Sequence, residues 1–263
     1  NREVFEFFAM LSNYEKFIKS GYYEISNVTS IKEILFKLNL GEVVQYRITI
    51  TECMTNINIF KILNSTKSFS GKLLLTDLPV EGYLAPNTYF YEQGDDRKDI
   101  LNKLENIQQK KLKEIWDKRS SNIDLNSSYE LLILASIIEK ETGIYDELSL
   151  ISSVLHNRLK KNMRLQADPT VIYGLTGGKK LGRPLTKKDL KKPSLYNTYL
   201  INGLPISPIC NPSEAALIAA ANPEKTNFFY YVSNGVGGHF FSTNLEEHNK
   251  NVKLFRSIKR NSY

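Results

Sequence analysis

This 263-residue sequence has no apolar run long enough to cross a bilayer, and it has only two cysteines and three histidines. Its longest apolar run, residues 131–138, is well short of the roughly 20 residues that a membrane-spanning helix needs. The two cysteines, Cys53 and Cys210, and the three histidines are scattered without the spacing of a metal or redox site. The sequence therefore predicts a globular protein without a metal or other cofactor, and its cysteines are compatible with either redox compartment.

Positive charge exceeds negative charge, but it is not concentrated anywhere. Lys and Arg number 35 against 28 Asp and Glu, which gives a formal net charge of +7. The lysines are spread along the chain with a few small clusters, and they form no long basic run of the kind found in nucleic-acid-binding arms. Charge alone leaves nucleic acid, anionic lipid headgroups and an acidic wall polymer open as partners.

Hydrophobic periodicity divides the chain into two parts and predicts an α+β fold. Residues 1–75 alternate short helical and strand patterns, which is typical of a small α+β module that follows an amphipathic helix. The best linker candidate is a Ser, Gly and Lys stretch at residues 65–72. Residues 76–263 carry longer helical patterns and then two aromatic strands around a glycine-rich turn. We therefore predict a small N-terminal module, followed by a mixed, mainly helical domain with a C-terminal β-hairpin.

The most informative segment is an apolar helix over residues 131–143 that ends in two glutamates. Ser127 opens a capping-box pattern, and Gly143 stands where a left-handed cap is expected. At about 100° per residue, Glu139 and Glu141 point roughly 200° apart and cannot share one face. A glutamate that closes a buried helix is a candidate for an acid with a raised pKa. The alternative is that both glutamates mark the solvent-exposed end of a core helix.

Carboxylate chemistry is the reaction type that the motifs leave open. No nucleophile elbow, phosphate-binding glycine loop or dinucleotide fingerprint is present. The 15 tyrosines suit stacking on sugars, and the aromatic segment 81–91 fits either a sugar-binding wall or a core. Glycosidic cleavage needs an acid whose pKa burial has raised, and Glu139 is the position best placed for this. The candidates for a second carboxylate are Asp168, Glu81 and Glu141.

A series of short motifs occurs in one order over residues 81–255. They are 135–142 (ASIIEKET), 157–159 (NRL), 163–174 (MRLQADPTVIYG), 196–199 (YNTY), 203–205 (GLP), 237–239 (GGH) and 241–245 (FSTNL). Together they resemble the YceG-like family of endolytic murein transglycosylases, and the N-terminal module resembles the LysM-like subdomain of that family. One departure is Cys53 after Glu52, where the family commonly has glycine, which puts the local turn in doubt.

The resemblance implies lytic cleavage of peptidoglycan between N-acetylmuramic acid and N-acetylglucosamine. The first glutamate of the motif, Glu139, would protonate the leaving oxygen and then, as a carboxylate, accept the proton of the muramic 6-hydroxyl as a 1,6-anhydro ring closes. The implied partners are peptidoglycan glycan strands and the cell-wall synthesis machinery, and no nucleic acid. The family also implies an N-terminal anchor in the cytoplasmic membrane, with the catalytic domain on its outer face. Because the chain begins at Asn1 and not at Met, we expect that this anchor has been removed from it.

Loop residues after the catalytic helix are expected to bind the substrate, because binding residues concentrate in loops. We predict that they converge around Glu139 and that no second carboxylate faces it. The alternative for Asp168 and Asn197 is that they only cap or brace loops. The predicted substrate-binding residues are Gln166, Asp168, Thr170, Tyr196, Asn197, His239, Ser242 and Asn244.

Other functions stay open at this point. One is an inactive peptidoglycan-binding module, against which an intact Glu139 argues. Another is a muramidase that hydrolyses the same bond with two carboxylates. A third, a binder of nucleic acid or acidic lipid, is suggested by charge alone.

Overall fold

A computed structural model describes residues 2–14, 16–26 and 29–261 of the chain. Within these ranges, no helix is both long enough and apolar enough to cross a membrane. Helices predominate, and the strands form two separate antiparallel pairs. The predicted α+β class is therefore confirmed, including the C-terminal hairpin.

Short helices surround one strand pair in the N-terminal part of the chain. The elements are α1 (Arg2–Leu11), α2 (Ile31–Leu40), β1 (Gln45–Ile50), α3 (Asn56–Ser65) and β2 (Asn87–Glu92). Ser30 and Glu33 form a complete capping box at the start of α2, and Gly41 ends that helix with φ 73° in the left-handed region. β1 and β2 are antiparallel, with Gln45 opposite Glu92.

An apolar cluster joins this strand pair to the helix that follows it. The cluster runs from Ile48 to Leu104 and includes Tyr89 and Tyr91. These two tyrosines are 3% and 7% exposed, so segment 81–91 mainly fills the core and does not form a sugar-binding wall. This cluster therefore includes residues on both sides of residue 75, and the domain boundary at that position stays a prediction.

The second part is organised around one buried helix. Its elements are α4 (Arg97–Asp117), α5 (Ser128–Glu141), α6 (Leu148–Lys160), α7 (Asp168–Thr176), α8 (Glu214–Ala221), β3 (Tyr230–Ser233), β4 (His239–Ser242) and α9 (Leu245–Asn261). α5 contacts α4, α6, α7 and α8, and residues 131–138 are at most 3% exposed. Ser127 caps α5 by accepting the Glu130 N–H at 3.2 Å. The predicted left-handed cap at Gly143 is wrong, because Thr142 leaves the helix in an extended conformation.

A disulfide between Cys53 and Cys210 joins the two parts beside a network around Asn211. The Asn211 side chain accepts the Leu84 N–H at 2.7 Å and donates to the Met54 carbonyl at 2.8 Å. Cys53 has φ 56°, the left-handed conformation for which glycine is favoured. The turn after Glu52 therefore forms with Cys53 in the conformation that glycine would adopt.

Candidate active site

The two glutamates at the end of α5 point to different parts of the molecule, as the helical spacing predicts. Glu139 Oε2 accepts the Ser213 N–H at 2.8 Å and the Ser213 hydroxyl at 2.5 Å. Ser213 is the N-cap of α8, so Glu139 places a negative charge at the positive end of that helix dipole. In this position Glu139 supports a helix start.

Glu141 lies instead in an open cavity of about 310 Å³ between α5, α6, the start of α7 and the hairpin. The cavity is lined by Glu141, Arg158, Gln166, Asp168, Tyr199, Tyr230, Tyr231, Leu245 and His248. Of the residues predicted to bind substrate, Gln166 and Asp168 are thus brought together. The prediction that they surround Glu139 is wrong, because they lie around Glu141.

The Glu141 carboxyl is in an environment that favours its protonated form. Burial raises the pKa of Glu141 to about 7, and the negative charge of Asp168 adds to this effect. The Tyr231 hydroxyl and the Arg158 charge act in the opposite direction. Glu141 Oε1 is buried and makes no hydrogen bond with any residue that the structure describes. This oxygen therefore has unused hydrogen-bonding capacity.

Arg158 and Tyr231 are held beside Glu141 by the ends of α6 and the hairpin. The Arg158 guanidinium donates to the Phe229 carbonyl at 2.7 Å and to the Leu165 carbonyl at 2.6 Å. These bonds fix its charge in place, and no carboxylate oxygen of the described residues lies within 4.0 Å of it. Burial and the Glu141 charge raise the pKa of Tyr231 well above its usual value, so that Tyr231 stays a neutral hydrogen-bond donor.

Gln166 lines the cavity from the loop before α7, and Asp168 lines it as the first residue of that helix. Asp168 Oδ1 accepts the Tyr199 hydroxyl at 2.6 Å, and both Gln166 and Asp168 are solvent-exposed. Gln166 has φ 50°, an uncommon conformation for a residue with a side chain, and such conformations concentrate at functional sites. The expectation that the acid meets no second carboxylate does not hold for Glu141, because Asp168 lines the same cavity.

Two of the predicted binding residues brace the loops that carry this cavity. Thr170 is fully buried, and its hydroxyl contacts Thr198 Oγ1 at 2.8 Å and donates to the Ala167 carbonyl at 2.7 Å. Asn197 is 1% exposed, and its amide donates to the carbonyls of Leu190 and Lys192. Their polar groups are bonded inside the protein, which is the bracing role that is the alternative for Asn197; contact of either residue with substrate stays a prediction.

The remaining predicted residues lie outside the Glu141 cavity. Tyr196 bonds to Ser207 through its hydroxyl at 2.7 Å, and its ring packs on Tyr173. His239 pairs with Glu147, with Nδ1 and Oε2 separated by 2.7 Å. These contacts hold loops and the hairpin in place and do not line the cavity.

Ser242 and Asn244 also have structural partners. Ser242 is fully buried and accepts the Asn251 amide at 2.9 Å. Asn244 accepts the Glu247 N–H at 2.9 Å at the start of α9 and so acts as a cap. Both residues thus have structural roles, and their contact with substrate stays a prediction.

Sequence reasoning missed several cavity residues, although part of the signal was present. Arg158 and Tyr199 belong to the NRL and YNTY motifs, so membership of a motif would have found them. Tyr230, Tyr231 and His248 carried no separate signal. Glu81, a candidate second carboxylate, accepts the Asn56 N–H at 2.8 Å at the junction of the two parts and does not line the Glu141 cavity.

The cavity combines groups suited to acid–base chemistry on a neutral polar substrate. A carboxyl with a pKa near 7 exists in both protonation states at neutral pH, which a residue that first gives and then takes a proton requires. Tyrosines and Gln166 offer hydrogen bonds to hydroxyl and amide groups. No group of three or more His, Cys, Asp or Glu side chains within the described ranges is arranged to hold a metal ion.

Fold and cavity together define a mixed α+β protein with an acid–base site at the end of a buried helix. The chain belongs to the YceG-like family, whose family model matches residues 1–254. This confirms the resemblance that the sequence motifs indicate.

Characterised relatives and a solved structure agree with this membership. An endolytic murein transglycosylase of Bacillus subtilis is 31% identical over 92% of this chain and 74% of its own length. An endolytic murein transglycosylase of Streptococcus pneumoniae is 28% identical over 95% of this chain, which spans only 52% of that relative. The crystal structure of a YceG-like protein from Listeria monocytogenes superposes with a TM-score of 0.63 at 30% identity, covering 95% of this chain and 90% of that one.

Proposed function

We propose that this chain is an endolytic murein transglycosylase in which Glu141 transfers the proton. The observation that carries the proposal is the buried Glu141 carboxyl, with its pKa raised to about 7 and one oxygen unpartnered among the described residues. It faces Gln166 and Asp168 across an open cavity. The names of the relatives indicate the substrate, a glycan strand of peptidoglycan. The assignment of this role to Glu139, which the resemblance implied, becomes the competing hypothesis.

In the first step, protonated Glu141 donates to the glycosidic oxygen between N-acetylmuramic acid and N-acetylglucosamine. With a pKa near 7, about half of the Glu141 carboxyls carry a proton at pH 7, whereas about 0.2% of ordinary glutamates do. The bond from muramic C1 to that oxygen breaks, and positive charge develops at C1. The negative charge of Asp168 in the same cavity favours this charge.

In the second step, the Glu141 carboxylate accepts the proton of the muramic 6-hydroxyl. Oxygen O6 then bonds to C1 and closes a 1,6-anhydro ring, so the reaction consumes no water and Glu141 regains its proton. The Tyr231 hydroxyl and the Arg158 charge favour the carboxylate form. They therefore stabilise the state of Glu141 that exists between the two steps.

A two-carboxylate muramidase is the second candidate, and the presence of Asp168 in the cavity favours it. In that reaction, Asp168 would act as nucleophile or as the base that activates water. Incubation of purified glycan strands in heavy-oxygen water, followed by mass spectrometry, separates the two reactions. We expect unlabelled 1,6-anhydromuramic ends. Heavy oxygen in the new reducing ends would mean hydrolysis.

We also propose that the protein works on the outer side of the cytoplasmic membrane, close to the cell-wall synthesis machinery and held there by an N-terminal anchor. The Cys53–Cys210 disulfide supports this location, because such bonds persist mainly in oxidising, extracytoplasmic compartments. Fractionation of cells that express the full-length protein tests the anchor. Recovery of the protein in the cytosolic fraction would exclude it.

A further inference from the structure

A second and larger cavity lies next to the Glu141 cavity, where the N-terminal part meets α7 and the loop after it. Its volume is about 740 Å³. We call it the junction cavity. It is lined by Thr55, Asn58, Lys140, Pro169, Ile172, Tyr173, Gly178, Lys179, Lys180, Leu181, Gly182, Arg183 and Ile209.

The two cavities share their walls at two separate places in the chain. Lys140 lines the junction cavity and the next residue, Glu141, lines the other. Asp168 lines the Glu141 cavity and the next residue, Pro169, lines the junction cavity. Consecutive Cα atoms are about 3.8 Å apart, so the two cavities adjoin along these two segments.

The junction cavity carries positive charge that is not neutralised within it. None of its described lining residues is acidic. Lys140, Lys179 and Lys180 have no ion-pair partner within 4.0 Å in the part of the chain that the structure describes. Arg183 differs, because it pairs with Asp189 at 2.6 Å. Three lysines are therefore available to an anionic ligand.

The rest of the cavity suits a short peptide. Ile172, Tyr173 and Ile209 supply an apolar surface, and Asn58 supplies an amide. Thr55 is 5% exposed, and its Oγ1 makes no hydrogen bond among the described residues. Apolar surface with a few polar groups and positive charge at the edge is the chemistry that recognises carboxylate-bearing peptides.

Close packing shapes the mouth of this cavity. Gly178 has φ 85°, and a Cβ placed there would lie 2.5 Å from Thr55 Cγ2. The loop that carries Lys179 and Lys180 thus lies directly against the N-terminal part. A glycine at this position permits the approach that places both lysines at the cavity.

We propose that the junction cavity binds the carboxylate-bearing peptide branch of the glycan strand whose sugars occupy the Glu141 cavity. This inference rests on the proposed function. The peptide of peptidoglycan is attached to the muramic acid unit, the sugar on which Glu141 is proposed to act. Its free carboxylates then pair with Lys140, Lys179 and Lys180, and the branch follows the shared wall from one cavity to the other.

Equilibrium binding tests the proposal without any cleavage. The probe is the disaccharide N-acetylglucosaminyl-N-acetylmuramic acid, which contains no bond of the type that is cut. It carries either its peptide or, in the bare form, a methylamide on the lactyl carboxyl, so that the bare probe has no carboxylate. Calorimetry would compare the wild type with the double variant Lys179→Gln/Lys180→Gln. We expect the peptide-bearing probe to bind the wild type more tightly than the bare one, and the double variant to lose about 5- to 10-fold in affinity for it. Binding of the bare probe should not change.

Two matched variants serve as controls. Lys187→Gln/Lys188→Gln removes the same charge from the same loop outside the cavity and should bind like the wild type. Lys179→Arg/Lys180→Arg keeps the charge and should retain affinity, which excludes misfolding as the cause of a loss. The affinity difference between the two probes should shrink at high salt, because exposed charges are screened.

Several outcomes would overturn the peptide subsite. The subsite is excluded if the wild type binds both probes with equal affinity. It is also excluded if the double variant loses the same amount of affinity for both probes. A double variant that loses binding only to vesicles of anionic lipid would assign the lysines to a membrane surface. If long strands are not cleaved while the difference between the probes persists, the peptide subsite stands and the proposed lyase activity fails.

Discussion

Glu147 holds His239 through two hydrogen bonds, one from the His239 backbone N–H at 2.8 Å and one with the ring Nδ1 at 2.7 Å. Glu147 lies just before α6, and His239 begins β4. Thr142, the residue after Glu141, also donates to the Glu147 carboxylate, at 3.3 Å. This pair therefore ties the hairpin that carries Tyr231 to the chain that leaves the proposed catalytic residue.

His239→Ala should lower both the stability of the protein and its turnover, although it replaces no residue of the Glu141 cavity. The loss of a partner for the partly buried Glu147 should reduce the free energy of unfolding by about 1–3 kcal/mol. Burial disfavours the charged form of Glu147, but bonding to His239 outweighs it and lowers the pKa. The stability that the Glu147–His239 pair contributes is therefore present above the ordinary glutamate pKa. It is lost as the pH falls through the lowered pKa of Glu147. Urea unfolding at pH 7 and pH 3 would measure this; a stability difference that does not change with pH would contradict it.

Glu141→Gln should abolish strand cleavage, because an amide cannot donate and accept the proton. The matched variant Glu139→Gln should keep most of the activity, since the amide oxygen still accepts from Ser213. It should cost only about 0.5–1 kcal/mol of stability through the lost charge at the α8 N-terminus. Turnover of purified glycan strands measures both. The opposite result, with Glu139→Gln inactive and Glu141→Gln active, would return the catalytic role to Glu139.

Glu141→Gln should also stabilise the protein at pH 8 but not at pH 4. Burial raises the pKa of Glu141 from its usual 4.5 to about 7, so the folded state binds the proton more tightly than the unfolded state. The stability that protonated Glu141 contributes to the folded state is roughly 3 kcal/mol. It is fully present below pH 4.5 and is lost as the pH rises through about 7. Glutamine does not titrate, so the variant loses nothing over this range. Unfolding curves of both proteins at the two pH values check the crossover; parallel curves would argue against a buried Glu141 carboxyl.

Removal of the disulfide should loosen the junction between the two parts. Cys53→Ala/Cys210→Ala should lower the free energy of unfolding by about 2–5 kcal/mol and make it insensitive to reductant, unlike that of the wild type. Because Cys53 has φ 56°, Cys53→Gly/Cys210→Ala should be about 1 kcal/mol more stable than the alanine pair. Urea unfolding with and without dithiothreitol provides the comparison. Two titratable thiols in unreduced wild-type protein would contradict the bond.

Local features of the fold could be predicted from the sequence because they depend on neighbouring residues. The apolar run of α5, its Ser127 cap and the aromatic strands of the hairpin all follow from short patterns. The opposite directions of Glu139 and Glu141 follow from helix geometry alone. The choice between them could not be made, because α5 is buried on nearly all sides and no polar stripe marks the face that meets the hairpin.

Long-range contacts determine the features that local sequence patterns do not show. Thr170 and Asn197 have the polar side chains of binding residues, and only the folded loops show that these groups are satisfied internally. Cys53 and Cys210 are separated by 157 residues, so no local spacing pairs them. The strand register that places residues 87–92 against β1 likewise connects segments on either side of the predicted linker.

The Cys53–Cys210 bond closes the intervening chain into a ring that includes the exposed loop around residues 177–188. A protease that cuts this loop opens the ring without releasing either fragment. Glu141 and Asp168 then belong to one polypeptide and Tyr199 and Tyr231 to another, yet the nicked molecule stays one covalent body until a reductant is added. The two halves of the site therefore stay together even when the backbone of this loop is cut.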